Sequence, residues 1–353
     1  MLNIVIWVSI ILVLAILVTT FRAHKLLEVA KGKTDVGRIG KSNKVQAILF
    51  VLFLVLGTGL FFIYSYTQFD RYTVPVASEH GVVTFRLFWI TMGVTCFVFI
   101  LTHILLFWFP YKYRYKDDRK AHFYPHNDKL EMVWTLIPAV VLVALIYSGW
   151  TAWVDITDGA PGDAEVVEVF GYQYAWSSRY PGKDKKLGGY DYKLIDADNQ
   201  LGVDFQDKNS MDDFMPREIH IPKGKPVLFK IRARDVIHSV YAPHFRLQMN
   251  AVPGMPTQFW FTPSKSTEDM RRETNNPDFQ YELVCNKICG KGHFAMRHII
   301  VVDEPEEYEK WYASQASWIS QNPDYLAKIF GTTDNDATVA VESATTEKEN
   351  TSL

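Results

Sequence analysis

The pattern of apolar and polar residues divides the chain into two halves near residue 154. In the first half, charged loops separate four long apolar runs. The runs cover residues 1–21, 45–66, 85–110 and 130–153. A hydrocarbon core about 30 Å thick is spanned by about 20 apolar residues in a helix. The first half is therefore predicted to form four transmembrane helices.

After residue 154 the apolar runs become short, and polar turns separate them. Pro-Lys-Gly-Lys at 222–225 and Pro-Gly-Met-Pro at 253–256 are turn signals. Short runs bounded by such turns are typical of β-strands. The predicted strands include residues 165–170, 218–221, 227–232, 257–261, 280–284 and 298–302. Many short strands of this kind predict a β-sandwich or barrel.

The remaining segments of the second half are predicted to be loops, a helix and a tail. Residues 181–216 and 263–278 are polar, and we expect them to form long surface loops. Aromatic residues recur at helical spacing after residue 306, so a C-terminal helix is expected within 306–330. Residues 331–353 are rich in Thr, Glu, Asp and Asn, a composition that favours a disordered tail.

Charge separates the two halves as well. Residues 1–154 carry 15 Lys and Arg against 8 Asp and Glu, whereas residues 155–353 carry 22 against 31. The loops 22–44 and 111–129 are strongly basic, and the loop 67–84 has a single basic residue. Basic loops stay in the cytoplasm, so the N-terminus and the second half are expected outside. The acidic outer half argues against nucleic acid as a partner, since phosphates need a basic surface.

The first apolar run has a second interpretation as a cleaved signal peptide. It lacks a basic beginning, and Thr19-Thr20-Phe21-Arg22 is a poor cleavage site. We therefore expect a retained helix.

The strongest chemical signal is Cys285-Asn-Lys-Ile-Cys289-Gly-Lys-Gly-His293-Phe-Ala-Met296. Soft sulfur ligands select copper, zinc or iron–sulfur clusters. Structural zinc usually needs a second Cys pair, and an iron–sulfur cluster four thiolates, whereas the chain has three cysteines in all. A redox switch would leave His293 and Met296 unexplained. Thiolate, imidazole and thioether together are typical of copper electron-transfer sites. His238, directly after a predicted strand, is a candidate for a further imidazole ligand.

These residues resemble subunit II of the heme–copper cytochrome c oxidases, over roughly residues 85–320. The family's His-Ser after a strand, followed by Cys-x-x-x-Cys-x-x-x-His-x-x-Met, is present without a gap. The resemblance implies an α+β membrane protein, with four transmembrane helices followed by an extramembrane cupredoxin Greek-key β-barrel. The implied divisions are an extra N-terminal helix pair (1–66), the family's transmembrane hairpin (85–153), the copper domain (155–305), a C-terminal helix (306–330) and a disordered tail (331–353).

The resemblance also implies a binuclear copper centre, called CuA, that holds two copper ions. Its implied ligands are Cys285 and Cys289, which bridge both ions, His238 and Met296 on one ion, and His293 and the backbone carbonyl of Lys287 on the other. Heme a and the copper ion CuB are expected in a partner, subunit I, and not in this chain.

Two further motifs carry the resemblance. Glu131-Met-Val-Trp-Thr-Leu-Ile-Pro138 matches the family's motif at the mouth of a proton-uptake path. The alternative for Glu131 is a carboxylate that only caps its helix. Gly171-Tyr-Gln-Tyr174-Ala-Trp176 matches an aromatic cluster under the docking surface for cytochrome c. Tyr174 and Trp176 are therefore expected at the electron entry, and ordinary core packing is the alternative, above all for Trp176.

The function implied by the resemblance is electron entry into a proton-pumping cytochrome c oxidase. The chain would accept electrons from a c-type cytochrome, free or pre-bound in a supercomplex, and pass them to heme a for the reduction of oxygen to water. Subunit I, other oxidase subunits and membrane lipid are the expected partners. The expected location is a bacterial inner membrane, with the N-terminus and the CuA domain on the periplasmic side.

The chain departs from the family at several places. Two helices precede the usual pair, Tyr174 replaces a Trp, and Lys287 replaces a Glu. No Cys-x-x-Cys-His motif is present, so no heme c is attached covalently to this chain. Two alternatives stay open. Subunit II of a quinol oxidase shares the fold but lacks the copper ligands, and a membrane-tethered copper chaperone or sensor would not need the motif at 131–138.

Overall fold

The computed structural model describes residues 2–31, 41–116 and 118–331. They form nine α-helices, four short 3-10 helices and nine strands within these ranges. The chain divides into two compact units, one made of Met1–Phe69 and Thr95–Asn127 and the other of Asp70–Val94 and Asp128–Leu353.

The N-terminal half of the chain is helical. Its helices are α1 (Leu2–Ala30), α2 (Lys41–Thr67), α3 (Phe69–Tyr72), α4 (Glu79–Lys112) and α5 (Asp128–Thr157). Within the first unit, aromatic side chains of α2 contact α4. The ring centroid of Phe107 lies 5.6 Å from that of Phe50 and 5.3 Å from that of Phe53. Offset aromatic pairs of this kind stabilise helix packing without any polar contact.

Among the described residues, three helices are long and apolar enough to cross a membrane, namely α2, α4 and α5. Their apolar side chains are almost entirely uncovered by protein. Such a surface is stable only in lipid. The three helices contain the runs predicted at 45–66, 85–110 and 130–153, and the run at 1–21 lies within α1 apart from Met1.

The second unit is built around two β-sheets. Its strands are β1 (Glu165–Tyr172), β2 (Ala175–Arg179), β3 (Ile219–Pro222), β4 (Val227–Ala233), β5 (His238–Ala242), β6 (Leu247–Ala251), β7 (Thr257–Phe261), β8 (Tyr281–Cys285) and β9 (Arg297–Asp303). The four-stranded sheet has the order β2-β1-β4-β7, and the five-stranded sheet has the order β3-β9-β8-β5-β6. The pairs β1–β4 and β3–β9 are parallel, and the other pairs are antiparallel.

Alternating side chains explain why these segments form a closed core. In β4, Val227, Phe229 and Ile231 are fully buried, while Lys230 between them faces solvent. A period of two places every second side chain on the same face of a strand. All six predicted strands are present, and none of their ends differs from the prediction by more than two residues.

The outer ends of α4 and α5 are fixed to the sheets within the second unit. The amide of Ala77, just before α4, donates to the carbonyl of His244 at 2.8 Å. At the end of α5, the Trp260 indole donates to the carbonyl of Asp155 at 2.7 Å, and Ile156 enters the main core. The sheet domain is therefore held by both helices at its base.

Residues 181–216, predicted to be a surface loop, instead take part in a second hydrophobic cluster. This cluster, the satellite core, consists of Phe170, Leu201, Val203, Phe205, Ile319 and Leu326. Its partners from the end of the chain lie on α8 (Trp318–Gln321) and α9 (Pro323–Phe330), which follow α7 (Pro305–Ala313). The single helix predicted over 306–330 is thus three short helices. Ser317 caps α8, and Pro323 starts a new helix because it has no amide to continue the previous one.

The segment predicted as a loop at 263–278 also contains a helix, α6 (Thr267–Thr274). Ser266 and Asp269 form a reciprocal capping box that satisfies its first amides. This local signal is readable in the sequence, but the polar composition of the segment conceals it. Residues 332–353 of the predicted tail lie outside the described residues.

Four buried charged residues join the 181–216 segment to the first sheet. The Arg179 guanidinium donates to Glu168 at 2.7 Å and to Asp213 at 3.1 Å, and Arg232 donates to Glu168 at 2.6 Å. Burial raises the pKa of Asp213 to about 7. For Glu168, burial acts in the same direction, but the two guanidinium groups outweigh it and lower the pKa.

Candidate metal centre

One end of the five-stranded sheet brings distant parts of the sequence together. β5 begins at His238, and β8, its neighbour, ends at Cys285. The amide of Asn286 donates to the carbonyl of Ser239, and the amide of Cys285 donates to the carbonyl of Met296, both at 3.1 Å. These backbone bonds fold the β8–β9 connection back over the start of β5.

The side chains that follow from this backbone form a compact group of soft donor atoms. The ligand atoms of His238, Cys285 and Cys289 all lie within 4.8 Å of one another. The neighbouring distances are 3.9 Å from His238 Nδ1 to Cys285 Sγ, 3.6 Å from His293 Nδ1 to Cys289 Sγ, 3.3 Å from Met296 Sδ to Cys289 Sγ, and 3.2 Å from the Lys287 carbonyl oxygen to Cys285 Sγ. The structure therefore brings together all six atoms predicted as ligands.

The chemistry of this donor set favours a soft metal ion. Cys285, Cys289 and Met296 are buried, and the two cysteines are free thiols. Burial and the adjacent Cys285 sulfur raise the pKa of the Cys289 thiol to about 11. A bound cation reverses this effect, because it stabilises the thiolate that the apolar surroundings disfavour. Two thiolates, two imidazoles and a thioether suit copper.

Within the described part of the chain, no other group of His, Cys, Asp or Glu side chains was found with the spacing of a metal site. The remaining histidines of the sheet domain have other contacts. His220 Nδ1 lies 2.7 Å from an Asp303 carboxylate oxygen, and His298 Nε2 lies 3.5 Å from the Ser178 hydroxyl. The choice of His238 among the outer histidines therefore follows from position.

The turn between β1 and β2 packs against the metal-binding loop. The Tyr174 hydroxyl accepts from the amide of Lys291 at 3.2 Å, and its ring leaves no room for a side chain at Gly290 or Gly292. A Cβ at either glycine would lie 2.4 Å from an atom of Tyr174. The two loop glycines therefore allow the close approach of an aromatic ring to the site.

The two aromatic residues predicted at the electron entry have different environments. Tyr174 is 41% exposed, whereas Trp176 is 4% exposed. The Trp176 ring packs edge-on against His238, with 5.8 Å between ring centroids. Of these two residues, Tyr174 alone can contact a protein that approaches from solvent. Trp176 lies between the core and the predicted ligand His238.

The metal-binding loop also carries two apolar side chains that the sequence analysis did not single out. Ile288, between the cysteines, is 88% exposed, and Phe294, directly after His293, is 90% exposed. Two large apolar side chains are thus exposed directly next to candidate ligands in the chain. The sequence shows that both residues are apolar and lie inside the ligand motif. It does not show that their side chains point to solvent.

Glu131 lies apart from this centre. It occupies the first turn of α5 together with Asp128 and is exposed. The helix continues to Thr157, so its rise of 1.5 Å per residue separates Glu131 from the outer end by about 39 Å. The structure therefore gives Glu131 no direct contact with the metal centre.

Comparisons with known proteins agree with this architecture. Residues 67–148 match the transmembrane domain of cytochrome c oxidase subunit II, and residues 165–304 match its periplasmic domain.

Individual relatives extend this match over most of the chain. The alternative cytochrome c oxidase subunit 2 of Bradyrhizobium diazoefficiens is 30% identical over 272 residues, which cover 76% of this chain and 92% of the relative. The cytochrome c oxidase subunit 2 of Cereibacter sphaeroides is 28% identical over 259 residues, covering 69% and 78%. The crystal structure of the periplasmic domain of subunit II from Bradyrhizobium japonicum aligns with 44% of this chain and 94% of its own, at 23% identity and a TM-score of 0.29.

Proposed function

The chain belongs to the cytochrome c oxidase subunit II family, and we propose that its sheet domain holds the binuclear copper centre at which electrons enter the oxidase. The family predicted from the motifs is confirmed, and the chain is a membrane-anchored component of an oxidoreductase complex with a periplasmic domain. The observation that carries the proposal is the convergence of His238, Cys285 and Cys289 within 4.8 Å.

The proposed ligand set assigns a task to each donor. Its members are Cys285 and Cys289 as bridging thiolates, His238 and Met296 on one copper ion, and His293 and the backbone carbonyl of Lys287 on the other. Two copper ions held by these thiolates would share one unpaired electron in the oxidised state, which would suit the transfer of single electrons. The chain itself keeps the two cysteine sulfurs buried and positions both imidazoles. The ligands would therefore move little when the copper centre gains or loses an electron.

The donor is proposed to be a c-type cytochrome that docks over the metal-binding loop, either free or held in a supercomplex. Tyr174 and Phe294 offer exposed aromatic surface there. Trp176 would contribute from the buried side of the site, since it contacts His238 but not solvent. The acceptor is proposed to be heme a of subunit I, which together with CuB would carry out the oxygen chemistry.

The proposed membrane arrangement has four spans. α1 would join α2, α4 and α5, which places the N-terminus on the periplasmic side with the copper domain. The basic loops 22–44 and 111–129 support this orientation. The extra pair at 1–66 would then precede the family's hairpin, and the copper domain would end near 305, before the three C-terminal helices.

Glu131 is proposed as the group that collects protons at the cytoplasmic end of α5. Its exposed carboxylate in the first helical turn supports this role. Glu131→Gln in the assembled oxidase should slow oxygen consumption and proton pumping, while leaving the copper spectrum unchanged. Asp128→Asn in the same turn is the matched control. Wild-type rates of oxygen consumption and proton pumping in both variants would show that Glu131 only caps the helix.

The copper proposal is tested on the full-length chain in detergent, loaded with copper and assayed for metal content and electron paramagnetic resonance. We expect two copper ions per chain and a spectrum in which one unpaired electron interacts with both nuclei. Cys96→Ser provides the control, because Cys96 lies in α4 and not in the centre. A single copper without electron sharing would favour a chaperone or sensor, and a chain that binds none would favour a quinol oxidase subunit.

A further inference from the structure

A groove of about 350 Å³ lies at the outer end of α5, where this helix meets strand β7. Trp150, Val154 and Asp158 line it at intervals of four residues, which places them on one face of α5. Asp158 follows the last helical residue, and its amide still donates to the carbonyl of Val154 at 2.8 Å. Trp260 of β7 also lines the groove. The predicted apolar run ends at residue 153, so the groove crosses the boundary between hydrocarbon and water.

Two carboxylates lie at the water side of this groove, and neighbouring elements hold them there. Asp155 Oδ2 lies 3.1 Å from His80 Nε2 of α4, and the Asp155 carbonyl accepts from the Trp260 indole at 2.7 Å. The His80 ring packs edge-on against Trp260, with 4.3 Å between ring centroids. Asp158 Oδ1 accepts from the amide of Gly159 at 2.9 Å. Both carboxylates are exposed to solvent and can accept further hydrogen bonds.

The polar groups of the groove are ordered by depth in the membrane. Eight residues separate Trp150 from Asp158, which is about 12 Å along the axis of the helix. The Trp150 indole is 60% exposed and carries a hydrogen-bond donor on the membrane side, whereas both carboxylates carry acceptors on the water side. Among the described residues that line the groove, none is Lys or Arg. The water side therefore attracts a cation and repels a phosphate.

This order of groups matches one class of lipid headgroup. In phosphatidylethanolamine the phosphate lies next to the glycerol and the ammonium is outermost. Carboxylates accept charge-assisted hydrogen bonds from an ammonium, and the face of an indole attracts it. Trp alone is common at membrane surfaces and would mark only the boundary, so the carboxylates are the groups that select the charge of the headgroup. Phosphatidylglycerol has no cation to offer them.

We propose that this groove binds the headgroup of a phosphatidylethanolamine from the periplasmic leaflet. Its ammonium would lie at Asp155, Asp158 and the Trp260 indole, and its phosphate beside Trp150. The lipid would contact α5 and β7 at once, and would thereby attach the sheet domain to the membrane surface. The inference is independent of the copper proposal, because it needs only the membrane anchor and the periplasmic domain.

The test titrates full-length chain in detergent with phosphatidylethanolamine, phosphatidylcholine or phosphatidylglycerol of identical acyl chains, and counts bound lipids by native mass spectrometry. We expect phosphatidylethanolamine to bind most tightly and phosphatidylglycerol least tightly. Phosphatidylcholine should lie between them, because its quaternary ammonium attracts the rings but donates no hydrogen bond. In the double variant Asp155→Asn, Asp158→Asn, binding of phosphatidylethanolamine should weaken about 3- to 10-fold.

Two control variants lie outside the groove. Trp153 is exposed on the same helix without lining the groove, so Trp153→Leu should keep the lipid preference, whereas Trp150→Leu should weaken binding of all three lipids. Asp163→Asn should also behave as wild type, since Asp163 is exposed in the turn before β1. Circular dichroism checks that each variant is folded. Should the double variant not fold, the two single variants decide.

Three results would overturn the proposal. The first is equal affinity of wild type for the three lipids, and the second is an unchanged preference for phosphatidylethanolamine in the folded aspartate variants. The third is a preference that disappears when a chelator removes divalent cations, because the carboxylates would then bind a metal ion and not the lipid amine. The copper content of the chain affects none of these measurements, so they remain decisive if the copper proposal fails.

Discussion

The two histidines of the candidate metal centre are held in different ways. His238 opens strand β5, is fully buried, and is fixed by Asp235 and Trp176. His293 lies in a loop, is half-buried, and has Cys289 as its metal-site neighbour, with exposed Phe294 next to it. His238 is therefore fixed by the sheet and its packing, whereas His293 is held on the connection between β8 and β9, nearer to solvent.

This difference indicates a division of labour. A ligand fixed by strand pairing and packing loses little freedom on metal binding, so it contributes to geometry and affinity. A ligand on a loop adapts to the metal and lies closest to solvent, where a donor protein would approach. The asymmetry predicts that equivalent changes in the two halves have unequal effects on the copper centre.

The largest effect is expected where the two halves share atoms. Cys285→Ser or Cys289→Ser would remove a proposed bridging thiolate. A hydroxyl oxygen is a poor substitute for a thiolate sulfur as a copper ligand. We expect complete loss of the shared-electron spectrum and oxygen consumption at background in the assembled oxidase. Retention of two coppers and normal turnover in either variant would contradict the ligand assignment.

The asymmetry itself is tested by His238→Gly and His293→Gly with imidazole added to the solution. Imidazole can enter the half-open space left by His293 and restore the spectrum there. The His238 side chain is fully buried, so the space that it leaves is closed to solvent. We expect rescue of His293→Gly alone, measured by electron paramagnetic resonance. Equal rescue of both variants would show that the two halves are equally open.

A smaller effect is expected for Met296→Leu. Met296 is buried against Cys289, and leucine has a similar volume, so the packing cost should be below about 1.5 kcal/mol. A thioether is a weak ligand that tunes the potential more than it holds the metal. Redox titration should show a shifted potential with both coppers retained. Loss of copper from this variant would make Met296 a structural ligand.

The smallest effect on the proposed copper centre is expected from a partly buried histidine outside the ligand set. Burial lowers the pKa of His298 from 6.5 to about 4. The unfolded chain therefore binds a proton between these pH values that the folded chain does not, so the free energy of unfolding decreases as pH falls from 6.5 to 4. The decrease amounts to about 3 kcal/mol at most. Denaturant unfolding of the copper-free chain should show a weaker pH dependence for His298→Gln, whereas its copper spectrum at pH 7 should match wild type.

The sequence was sufficient to predict which candidate ligands lie close together, because most of them are neighbours in it. Five of the six lie between Cys285 and Met296, and one of these, Lys287, contributes its backbone carbonyl. His238 was found by its position after a strand and by the family pattern. Asp235 was not found as a partner of His238, since an acid three residues before a histidine is ordinary in a turn and only the fold shows which ring nitrogen it meets.

The fold was predictable where burial has a local period and was missed where it depends on distant segments. The alternation in β4 identifies a strand from seven residues. In contrast, Leu201, Val203 and Phe205 lie among polar residues, and their partners Ile319 and Leu326 come more than a hundred residues later. No local window contains both sides of that contact, so residues 181–216 were predicted as a loop.

The satellite core also affects the order in which parts of the domain can fold during synthesis. A chain made from its N-terminus presents Leu201, Val203 and Phe205 long before Ile319 and Leu326 exist to cover them. At a synthesis rate of about 5–20 residues per second, this interval lasts roughly 6 to 23 seconds. The copper loop is complete within it, since Met296 precedes Ile319. During synthesis all the proposed metal ligands have therefore emerged while part of the satellite core is still uncovered, and α8 and α9 cover it last.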